Sequence, residues 1–127
     1  MKRALIIVSH GSRREASNDE VKRLAQLLSA HQENSFDDVS AAFLEIAEPS
    51  IPDGIAAAIE RGADEVTVLP YFLSAGRHVT QDIPAEVDKA RSQMPDAVIR
   101  IAPYLGRAPE MADIVLRMVS DTDHEDR

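Results

Sequence analysis

The stretch spanning residues 70–84, PYFLSAGRHVTQDIP, gathers the side chains best suited to chemistry. His78 supplies an imidazole and Arg77 a guanidinium beside it. Gly76 lets backbone approach a ligand closely, and Asp82 with Pro84 is placed to open a helix. A second imidazole, His10, follows the apolar run at residues 4–8 in the words SHGSRR. Neutral imidazoles with a carboxylate hold divalent first-row metals and leave coordination positions open. Positions 10 and 78 therefore predict a metal site, provided that the fold brings them to one rim. Cysteine is absent, which excludes a thiolate metal site, a thiol nucleophile and any disulfide.

Acids and arginines flank these histidines. Glu45 and Glu48 follow the second apolar run, and the residues alone leave open which of them assists. Arg13, Arg14, Arg77 and Arg107 fall in the loops after the strands, where guanidinium groups can grip carboxylates or phosphates bidentately. Ser9 and Ser12 lack a G-x-S-x-G elbow and an acid–histidine order, so a serine hydrolase is not indicated. His31 at a polar helix end and His124 in an acidic stretch read as solvated surface residues.

The elements that must position these groups follow from periodicity. The continuous apolar run at 4–8 reads as a central parallel strand covered on both faces, and the mainly apolar runs at 39–44, 66–69 and 97–102 as three further strands. The first helix is expected to start at the capping box Ser17-Asn18-Asp19-Glu20 and reach about Glu33. The second is capped by Ser50 and ended by Gly62, and the third carries Ile83, Val87, Ala90 and Met94 and stops before Pro95. The last starts near Pro109 and places Met111, Val115 and Met118 in the core. Four strand–helix alternations in 127 residues predict an α/β fold: a flavodoxin-like three-layer sandwich around a four-stranded parallel sheet of order 2-1-3-4. In that order the first and third strands are neighbours, and ligands bind the crevice at their carboxyl ends. His10 and His78 come from those two strands.

At this point the words SHGSR, FLEIAEPSI and LPYFLSAGRHVTQDIP resemble the small CbiX/SirB-type sirohydrochlorin chelatases, from residue 5 to about residue 105. The resemblance implies a chelatase-like fold and ATP-independent insertion of cobalt, nickel or iron into sirohydrochlorin or a similar polycarboxylate tetrapyrrole. It implies His10 and His78 as metal ligands and Glu45 as the assisting acid. Ser12, Arg13, Phe72, Leu73, Ser74, Gly76 and Arg77 are expected to contact the tetrapyrrole. It also implies pairing as a homodimer, with the metal a substrate and no permanent cofactor. The absence of a G-x-x-x-x-G-K-[ST] run agrees with a reaction that uses no nucleotide.

Composition bounds the partners. A net charge of -8 argues against nucleic acid, which wants a basic face. Of that charge, -3 falls in residues 121–127, expected to be a frayed acidic tail after a single domain at 1–120. The N-terminal apolar run is too short for a signal sequence or a membrane span, so a cytoplasmic protein is expected. A non-catalytic protein that delivers metal or tetrapyrrole is the alternative. A histidine phosphatase is disfavoured, because Ser9 stands where an arginine would precede the histidine.

Overall fold

The structure, a computed structural model, describes the backbone of residues 1–125 and side chains to residue 122. Strand β1 (Arg3–Ser9) leads to helix α1 (Glu15–Ser29), β2 (Asp38–Phe43) to α2 (Ile51–Glu60), and β3 (Glu65–Pro70) through a π-helical turn (His78–Asp82) into α3 (Ile83–Gln93). Strand β4 (Val98–Ile101), a 3-10 turn (Leu105–Arg107) and α4 (Met111–Glu125) complete the chain. All pairings are parallel and the order is β2-β1-β3-β4, as the alternation predicts.

Alternation along β1 sends Ala4, Ile6 and Val8 to one face and Leu5 and Ile7 to the other. The first face builds the larger core: Val66 and Val68 of β3 meet Ile55 of α2 and Ile83 and Val87 of α3, all fully buried. Each such side chain contributes about 1.5–3 kcal/mol by leaving water. The second face packs Ile7, Ala41 and Phe43 against Val21 of α1. Ser50 caps α2 as predicted, its hydroxyl accepting from Asp53 N at 3.2 Å.

Three local expectations are corrected. Helix α1 begins at Glu15, two residues before the supposed capping box, and ends at Ser29. Asn18, buried inside it, reaches back to Ser12: Ser12 N donates to its Oδ1 (2.9 Å) and its Nδ2 donates to Ser12 O (2.7 Å). That exchange fastens the loop after β1, a use of Asn18 that competes with capping. Asp82 does not open α3 by capping, since its backbone is already helical and the turn before it is continuous with the helix. Met118 is 67% exposed and Met111 only half-buried, so neither is the core residue expected, because α4 leaves the sheet instead of folding against it. Helix α4 also runs on to Glu125 through part of the expected tail, with Ser120 and Thr122 hydroxyls donating to the carbonyls of Leu116 and Met118. Residues 126 and 127 of that tail lie outside the described residues.

Candidate metal centre

The ladder between β1 and β2 continues past the strands and carries the site's first half. Leu44 N donates to Ser9 O at 2.9 Å and Glu45 N to His10 O at 3.1 Å, so Glu45 travels beside His10. The turn between them needs glycine: Gly11 has φ +95, and a Cβ there would strike the Glu45 carbonyl oxygen. His10 Nε2 then lies 2.9 Å from Glu45 Oε1, with its Nδ1 3.0 Å from Gly11 O.

The second half hangs from β3. Tyr71 N donates to Val8 O (2.8 Å) and Gly106 N to Phe72 O (2.9 Å), so the segment after β3 is clamped by β1 on one side and by the 3-10 turn on the other. Gly106 is needed for that approach, because a Cβ would overlap the backbone of Leu73. The chain then winds into the π-helical turn, where His78 O accepts from Ile83 N. Such turns place side chains that a regular helix would not, and they recur at functional sites. Within it, His78 Nδ1 sits 2.8 Å from Asp82 Oδ2.

The two imidazoles meet. Their ring centroids are 4.7 Å apart at 62°, edge to face, and Phe72 stands 6.2 Å behind the His78 ring. Hydrogen-bond logic orients them further. Gly11 O and the Asp82 carboxylate only accept, so each Nδ1 is the N–H that meets them. Nε2 of His10 and Oε1 of Glu45, 2.9 Å apart, stand side by side as candidate donors to a cation. Among the described residues no group of three His, Asp or Glu side chains is placed to hold an ion, so the two imidazoles form an open, incomplete set of donors.

A cavity of about 280 Å³ opens beside His78, lined by Leu44, Glu45, Asp82, Ala85 and Glu86. Asp82 and Glu86 were not expected here from the sequence. Their signal was the spacing of four residues each from His78 to Asp82 and from Asp82 to Glu86, which places all three along one side of the helical segment. The other expected contacts separate. Phe72 is half-buried against the site, while Leu73, Ser74, Gly76 and Arg77 are exposed on the loop before His78. Nothing in the chain lies near enough to Gly76 to require glycine there. Ser12 and Arg13 line a different hollow with Lys22 and Glu48, which separates Glu48 from the histidines and leaves Glu45 as the acid on His10. Arg107 lines a third hollow near Leu69 and Tyr104.

Residues 4–122 match the CbiX family model. This chain belongs to the CbiX family. It is 41% identical over 81 residues to a sirohydrochlorin cobaltochelatase of Methanocaldococcus jannaschii, a match covering 64% of this chain and 55% of that protein. A crystallised CbiX protein from Marinobacter aquaeolei VT8 superposes with a TM-score of 0.84 at 26% identity, covering 99% of this chain and 98% of the other. The sirohydrochlorin chelatase SirB of Bacillus subtilis subspecies spizizenii, solved in complex with cobalt, superposes at 0.83 with 30% identity over 95% of this chain. The CbiX chain spans about half of SirB, 51% of its length. Among its described residues no helix is long and apolar enough to cross a membrane.

Proposed function

We propose that this chain inserts a divalent metal, cobalt, nickel or iron, into sirohydrochlorin or a similar polycarboxylate tetrapyrrole, without nucleotide hydrolysis or a permanent cofactor. The reading takes the protein to be a cytoplasmic homodimer. What carries it is the edge-to-face meeting of His10 and His78, each with an acid on one ring nitrogen. Relatives named as cobaltochelatases and ferrochelatases support the reaction class.

In this reading His10 and His78 present the ion through their Nε2 atoms from one side of the macrocycle. Each ion that enters the ring displaces two pyrrole N–H protons. Glu45 lies against His10, so its carboxylate is placed to take a proton as the metal leaves the imidazoles, while Glu86, also lining the cavity, is held in an ion pair with Lys89. Carboxylates around the cavity favour a cation over the tetrapyrrole's acid groups, which suit the exposed guanidinium of Arg77 beside His78.

The test follows the tetrapyrrole absorption band with each of the three metals. Purified protein is expected to accelerate metallation catalytically, and His10→Ala and His78→Ala each to abolish the acceleration while far-UV circular dichroism stays unchanged. No acceleration with any metal would end the enzyme reading. A single stoichiometric turnover would replace it with a delivery protein.

A further inference from the structure

Two unfavourable features coincide on one residue beside the metal centre. Ile46 follows Glu45 in the excursion between β2 and α2, and its φ of +70 is the only positive φ of a non-glycine residue among the described residues. The Ala47 N–H donates to the Glu45 carbonyl at 2.7 Å across that single residue, the bond of a γ-turn. With a positive φ at its centre such a turn has the rare, strained hand, and a β-branched side chain suits it poorly. Ile46 is also 58% exposed, so burial of its apolar side chain does little to offset the strain.

The surrounding backbone imposes this conformation. Glu45 N donates to His10 O at 3.1 Å, Glu45 O sits over Gly11 where no Cβ fits, and Phe43 N donates to Pro49 O at 2.9 Å, which closes the excursion behind the turn. Strain of this kind persists where the surroundings over-determine it, and it gathers at functional sites. What the turn determines here is Glu45. The Glu45 side chain is 60% exposed, so neighbours do little to steer it, and the backbone sets the approach of its carboxylate to 2.9 Å from His10 Nε2. Ile46 lines a different hollow, with Ser12, Arg13 and Lys22, while Glu45 lines the cavity beside His78. Any effect of Ile46 on an ion must therefore pass through Glu45.

We propose that Ile46 is a positioning residue whose strained turn holds Glu45 against His10 weakly, so that the carboxylate joins a bound ion and withdraws as the ion moves on. This rests on the metal-insertion reading above. Relaxing Ile46 to a negative φ breaks the γ-turn and takes the Glu45 carbonyl off Gly11, so strain favours the withdrawn state. A protein only fractionally in its binding-competent state shows an affinity lowered by that fraction. A residue at ease with positive φ removes that penalty, and the ion is then held more tightly and passed on more slowly.

The test replaces Ile46 by asparagine, which tolerates positive φ, and by threonine, which is equally polar but β-branched. Without metal, Ile46→Asn is expected to melt a few degrees above the wild type. Titrated with cobalt in the absence of tetrapyrrole, it should bind severalfold more tightly, and its kcat for metallation should fall severalfold. Ile46→Thr should stay near the wild type in all three measurements. In a Glu45→Gln background, Ile46→Asn should still raise the melting temperature but leave cobalt affinity unchanged, because the carboxylate it positions is gone. A melting temperature for Ile46→Asn at or below that of the wild type, cobalt binding no tighter, or turnover no slower would each overturn the proposal. So would a threonine variant that behaves like the asparagine one, or a gain in affinity that persists with Glu45→Gln. Melting and titration need no tetrapyrrole, so they judge this turn whether or not the wild type metallates, and wild-type metallation stands if they fail.

Discussion

Asp82 orients His78 by a 2.8 Å hydrogen bond to Nδ1, which leaves Nε2 free of that bond. Carboxylates that hold a ligating histidine in this way are worth about 10–100-fold in metal affinity or activity. Asp82→Asn, measured by metal titration and by metallation rate, is expected to lose that much while Asp82→Glu keeps more. His10 carries a second consequence. A cation held by Nε2 takes the place a proton would fill there, so affinity for metal, measured by titration, should fall as pH is lowered. Glu45→Gln removes the anionic oxygen beside that nitrogen and should weaken metal binding. That His10, His78 and Glu45 meet at one rim was legible in the sequence because each follows an apolar run and sits in a specific motif. Asp82 was not, because an acid just before Ile83-Pro84 also reads as a helix cap, and only the π-helical turn shows that its carboxylate looks backward to His78.

At the scale of elements, the two glycine contacts hold the halves of the site in register. Gly11→Ala demands a positive φ from alanine and collides with the Glu45 carbonyl, a cost of about 1–3 kcal/mol before relaxation. Thermal unfolding should show Tm lowered by roughly 5 °C or more. Metallation should fall further than stability does, since the shift moves Glu45 away from His10. Strand order and the α2 and α3 packing were readable from alternation because both faces of β1 are covered and its apolar pattern is unambiguous. The start of α1 was misread because Asn18 satisfies the Ser12 loop. Periodicity also showed that α4 has an apolar side but not which surface faces it, since spacing within a helix says nothing about whose side chains meet it.

For the whole molecule, a net charge of -8 and the acids Glu45, Asp82 and Glu86 around one cavity should draw in divalent cations. Stopped-flow association of cobalt is expected to slow severalfold between about 10 and 150 mM salt, as screening shortens to about 8 Å. The backbone bonds Leu44 N to Ser9 O, Tyr71 N to Val8 O and Gly106 N to Phe72 O set the rim through the main chain alone. A zinc finger melts when stripped of its metal, whereas in this protein backbone bonds close the rim with no ion among them. Exhaustive treatment with a chelator should therefore leave its melting curve in place. On the proposed reading, an ion visiting such a frame would not be consumed in assembling it, and the grip of two rings could be loose enough to hand the ion onward.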